Sequence, residues 1–116
     1  MNFEAWVKPH LQKGKGYIAY NFNLYELEED YFGAELVAST SYDPDDDDWA
    51  CDTVFSSGDE LFEYSSENWE SALREFLVMA NTLIEKEGLA VFGDKAEYIT
   101  AGFIDGNLEV IYSKNN

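Results

Sequence analysis

The chain has 116 residues, of which 46% are hydrophobic and 16% aromatic, so it holds enough apolar material for one core and too little length for a second. Seven Lys and Arg stand against 24 Asp and Glu, a formal charge of −17. That balance argues against binding a phosphate backbone directly, which needs clustered cations, and against attraction to an anionic membrane surface. The apolar content argues equally against intrinsic disorder, so the expectation is a single domain spanning residues 1–116.

In the opening segment, 2–12, Phe3, Trp6, Val7 and Leu11 fall near helical spacing, with Pro9 expected to bend or shorten the helix. The run Lys13-Gly14-Lys15-Gly16 reads as a loop. Residues 17–25 then change to period two. Ile18, Tyr20, Phe22 and Leu24 share one face, and Ala19, Asn21 and Asn23 the other, the pattern of a half-buried strand. A charged turn at 26–30 leads to a second alternating strand, 32–39, with Phe32, Ala34, Leu36 and Ala38 on one side. After a loop at 42–48 containing Pro44, residues 49–56 predict a third strand whose two sides are both partly apolar.

Ser66 is a suitable N-cap for a long helix, and Glu67 and Glu70 suit the positive end of its dipole. Trp69, Leu73, Phe76, Leu77, Ala80, Leu83 and Ile84 repeat at three and four, and Gly88 supplies the stop. Two β-rich stretches, 97–104 and 108–112, flank Asp105-Gly106-Asn107, a strong hairpin signal. The predicted class is α+β in the order α-β-β-β-α-β-β. It has an antiparallel sheet of about five strands and one long helix packed on one face.

The acidity is unevenly spread. From Gly16 to Leu73 there are sixteen acidic residues and neither a lysine nor an arginine. The densest part is Tyr42-Asp43-Pro44-Asp45-Asp46-Asp47-Asp48-Trp49-Ala50-Cys51-Asp52. Four consecutive aspartates repel one another, so a domain with no use for them would be more stable without some. Aromatic residues beside charges that can pair resemble the anchors of an interface, and the matching surface would be rich in Lys and Arg. Tyr42, Asp43, Asp45, Asp46, Asp47, Asp48, Trp49 and Asp52 are therefore the candidate partner-binding residues. The bland alternative is a solvated loop that only aids solubility.

Other chemistry fits less well. Asp43, Asp45 and Asp47 occupy positions one, three and five of an EF-hand loop, but Asp48 replaces the required glycine and Val54 the bidentate glutamate. One His and one Cys, His10 and Cys51, cannot build a zinc site. Asp48 and Asp52 near Cys51 disfavour the thiolate a nucleophile needs. No Gly-rich phosphate loop occurs, so neither metal, cofactor nor catalytic residue is expected, and the chain reads as a non-enzyme. The longest apolar run, 76–80, is too short to span a bilayer. With no basic-then-apolar leader and a single cysteine, a cytoplasmic protein is expected.

Over residues 45–55 the chain resembles small acidic bacterial immunity proteins of toxin–immunity systems of the polymorphic-toxin and contact-dependent-inhibition type. The resemblance implies binding and neutralising a cognate toxin, commonly a basic nuclease, and implies no specific contact residues. Three alternatives remain open at this point: a nucleic-acid mimic with carboxylates spaced along an elongated surface, an enzyme using paired carboxylates, and an acidic interaction subunit without a toxin partner. Weak homodimerisation through a sheet edge or exposed aromatics is also compatible with the last of these.

Overall fold

A computed structural model describes residues 2–114. Helix α1 spans Phe3–Lys13, where the Asn2 side chain accepts from the Ala5 amide at 2.7 Å as N-cap. The helix runs on through Pro9. Its last turn is closed by the Gly14 amide donating to the His10 carbonyl, while Trp6, Val7, His10 and Leu11 are buried. Core burial here outweighs the hydrogen bond that proline forgoes.

Strands β1 (Ala19–Glu28) and β2 (Tyr31–Ser39) form an antiparallel hairpin. They extend further than the charged turn suggested, because a bulge at Glu26–Glu28 and a left-handed Asp30 (φ 62°) close the tip in few residues. The expected third strand is absent over most of 49–56. Residues Asp47–Cys51 form a 3-10 turn, and only β3 (Phe55–Ser56) pairs, opposite Val37 and Ala38. The cause is local: the Asp46 carboxylate accepts from the Asp48 amide at 3.0 Å, offering the backbone a turn in place of a ladder. An unforeseen strand β4 (Phe62–Ser65) pairs with the other half of β2, from Tyr31 to Ala34. Its Phe-Glu-Tyr alternation is in the sequence, but four residues are too few to stand out.

Helix α2 spans Trp69–Glu87, capped by Asn68, whose side chain accepts from Ser71 N, and not by Ser66. The Ser66 amide instead donates to the Asp30 carbonyl, and its hydroxyl donates to Glu75. Gly88 (φ 79°) ends the helix, as expected. After a 3-10 turn, Leu89–Phe92, come β5 (Tyr98–Phe103) and β6 (Glu109–Ser113), joined by the Asp105-Gly106-Asn107 turn.

The architecture is α+β, and the sheet has six strands in the order β3-β2-β1-β5-β6, with β4 also on β2. It is mixed, not wholly antiparallel, because β5 lies parallel to β1. Strand β4 ends beside the hairpin tip. Helix α2, about 28 Å long at 1.5 Å per residue, carries the chain back so that β5 starts level with β1. Both helices cover one face. Tyr20, Phe22, Leu24, Leu36 and Ile99 meet Phe3, Trp6, Leu11, Phe76 and Leu83 there, with Phe76 5.2 Å from Phe3 and 5.0 Å from Phe22 between ring centres. No helix among the described residues is long and apolar enough to cross a membrane.

Candidate functional site

The opposite face of the sheet carries the acidic loop. Trp49 is the loop's anchor: 8% exposed, it packs against Ala19 and lies edge-on to Tyr98 at 5.8 Å. Tyr42 stacks on the same Tyr98 ring at 4.6 Å and 11°, and its hydroxyl donates to Glu97 at 3.3 Å. Of the predicted binding residues, the two aromatics therefore face inward and hold the loop down. Burial, followed by the charges of Asp47 and Asp45, pushes the Tyr98 hydroxyl above its ordinary pKa. Burial and then the Glu97 charge do the same to Tyr42.

The aspartates divide into two groups. Asp43 accepts from Asp45 N at 2.9 Å, Asp46 from Asp48 N at 3.0 Å, and Asp47 from Leu108 N at 3.2 Å, the last tying the loop to the start of β6. These three shape the loop. Asp45, Asp48 and Asp52 are exposed, and no hydrogen bond to their carboxylates is seen among the described residues. The loop is thus an ordered platform that exposes these carboxylates, Asp48 among the lining of the cleft beside it.

Between this loop and the β5–β6 turn lies a cleft of about 390 Å³ whose floor is the polar face of β1 and β2. A hydrogen-bond chain crosses it. Thr100 donates to Asn21 Oδ1 at 2.9 Å, Asn21 Nδ2 to Asn23 Oδ1 at 2.7 Å, and Asn23 Nδ2 to Glu35 at 3.2 Å. Glu35 also accepts from the Tyr25 hydroxyl at 2.8 Å and Ser56 Oγ at 2.6 Å. Burial, then the hydrogen bond to Glu35, pushes the Tyr25 hydroxyl up to about 12. Gly102 makes the close approach of the turn possible, since a Cβ there would sit 2.6 Å from the Asn107 carbonyl oxygen. Sequence reasoning missed this floor. The alternation of Asn21 and Asn23 with apolar residues showed a polar face, but only the register of β1 against β2 and β5 places Glu35 and Thr100 beside it.

The ion-paired cations lie on the two helices and, at Lys114, beside the Tyr42–Glu97 contact of the loop. Lys8 pairs with Glu4 at 2.8 Å and Glu87 at 3.2 Å, Lys86 with Glu4 at 3.1 Å, and Lys114 lies 4.0 Å from Glu97. Those pairs occupy α1, the C-terminal end of α2 and the start of β5. At the other end of the sheet stand Glu26, Glu28, Glu29 and Asp30 on the hairpin, Glu63 on β4, and Glu67 and Glu70 where α2 begins. Among the described residues no three His, Cys, Asp or Glu side chains converge as a metal site would require. Cys51 is exposed on the loop and His10 is buried 3.8 Å from Glu60, too far apart in role and place to read as a pair. No protein-family model, curated protein or solved structure matches the chain.

Proposed function

We propose that this chain is an acidic binding protein that docks onto a basic protein partner and neutralises it, as an immunity protein neutralises a toxin such as a nuclease. One observation carries the reading: Asp45, Asp48 and Asp52 are exposed on a loop that buried Trp49 and the Leu108 amide's bond to Asp47 hold to the sheet and that two internal amide-to-carboxylate bonds shape. A loop that served solubility alone would need no such anchoring. Rigid carboxylates lose less freedom on meeting lysines and arginines, and the surrounding negative field speeds the encounter. The dimensions, 36 × 29 × 26 Å, favour this over mimicry of an elongated nucleic acid.

The test is capture on the immobilised protein from the cell that produces it, eluted with rising salt. The expected result is one dominant basic protein that is toxic when expressed alone and harmless when co-expressed with this chain. The triple variant Asp45→Asn, Asp48→Asn, Asp52→Asn should weaken retention at least tenfold without lowering the thermal transition, since none of these side chains braces the loop and their mutual repulsion is relieved. Retention unaffected by both salt and the triple variant would remove the basis of the proposal.

A further inference from the structure

We propose that a second surface, the groove at the hairpin end of the sheet, receives an apolar side chain flanked by Lys or Arg on the same basic partner. This inference rests on the reading above and adds to it a place and a chemistry. The groove holds about 500 Å³ and is lined in part by Tyr25, Glu26, Trp69, Phe103, Ile104 and Asp105. Two of its residues are large, apolar and unusually exposed, Trp69 at 56% and Ile104 at 62%.

Neither exposure is required by the fold. Trp69 is the first residue of α2, a position that any good helix former fills, and Ile104 lies in the connection beyond β5. The groove is nonetheless rigidly backed. The Trp69 ring stands edge-on to Phe103 at 6.1 Å and 88°, and Phe103 stands edge-on to buried Phe32 at 5.9 Å. A preformed aromatic wall of this kind costs little to order on binding, and tryptophan is the residue most enriched among dominant contacts.

The charge around the groove selects its occupant. Glu26 and Asp105 stand in its lining, which contains no lysine or arginine, and Glu28, Glu29, Asp30 and Glu70 adjoin it along the chain. An acidic segment would meet that field unfavourably and a neutral one would gain nothing from it, whereas one bracketed by cations would place its apolar side chain against Trp69 and Ile104 and its charges on the rim. An arginine there could also lie against the indole face. The groove and the cleft under the acidic loop share Phe103, Ile104 and Gly106 in their linings, so one partner can span both.

Trp69 supplies its own probe, because the other two tryptophans, Trp6 at 2% and Trp49 at 8% exposed, are buried. The full chain, labelled with nitrogen-15, is titrated with two blocked pentapeptides, KKFKK and KKGKK, while amide and indole resonances are followed. The phenylalanine peptide is expected to bind about tenfold tighter or more, from burial of one ring, and to shift the Trp69 indole and the amides of Glu26 and Ile104. Trp69→Ala and, separately, Ile104→Ser should bring the two peptides to equal affinity, and both sites are exposed enough for the variants to fold. Replacing Asp45, Asp48 and Asp52 by Asn should lower both affinities and leave their ratio unchanged. Equal affinities for the wild-type protein, or shifts confined to the acidic loop, would overturn the groove while the acidic-binder reading stands. Absence of shifts anywhere with either peptide would overturn both.

Discussion

Replacing Trp49 tests whether the acidic loop is built or merely tethered. A tryptophan side chain buries roughly 200 Å², which at about 25 cal/mol per Å² corresponds to about 5 kcal/mol, less the share an alanine retains. The indole N–H offsets part of this, for it is buried with no hydrogen-bond partner among the described residues, a defect worth about 1 kcal/mol or more. Trp49→Ala should therefore cost about 3 kcal/mol, a fall in Tm of about 10 °C for a domain of this size. Trp49→Phe keeps a ring against Ala19 and Tyr98 and removes the unpaired N–H, so its cost should stay within about 1 kcal/mol. Urea and thermal unfolding followed by far-ultraviolet circular dichroism measure both. A phenylalanine variant as unstable as the alanine variant would refute the reasoning, since it would mean that the indole nitrogen, not the packed ring, secures the loop.

Three further outcomes are expected. With seven cations against 24 acids, and three of them, Lys8, Lys86 and Lys114, in ion pairs among the described residues, self-repulsion should dominate the salt response. Tm should rise between about 0.01 M NaCl, where charges act over about 30 Å, and about 1 M, where they act over about 3 Å; a fall would show that ion pairs outweigh repulsion. The Tyr25 hydroxyl titrates higher in the folded than in the unfolded chain, so its contribution is fully present below pH 10 and is lost as pH rises through about 12. Tyr25→Phe should accordingly show a shallower loss of stability over that window than the wild type, and parallel curves would contradict this. Gly93 has φ +101°, and a Cβ there would lie 2.8 Å from the Gly16 amide nitrogen, whereas Gly16 at φ +93° faces open space. Denaturant midpoints should show Gly93→Ala costing about 3 kcal/mol and Gly16→Ala about 1 kcal/mol, the difference being the backbone collision.

Periodicity alone made the inner half of this protein legible. Tyr20, Phe22 and Leu24, then Phe32, Ala34, Leu36 and Ala38, then Phe76, Ala80 and Leu83 are all buried, because alternation and helical spacing follow from backbone geometry before any partner is chosen. The helix stop at Gly88 and the final hairpin are local for the same reason. The base-free stretch, too, is a property of composition. What the chain could not declare locally was decided by tertiary contact. Parallel pairing of β5 with β1 depends on where α2 returns the chain, and the docking of the locally capped turn at Asp47–Cys51 onto the sheet depends on Trp49 finding Ala19 and Tyr98. The polar floor of the cleft joins Glu35 to Asn23 and Thr100 to Asn21 across separate strands, and the exposed groove sets Trp69 beside Phe103 across 34 positions of sequence. Contacts of that span carry no periodic signature, since each half of the pair has its own local reasons for being where it is, and only closure of the sheet brings the halves together.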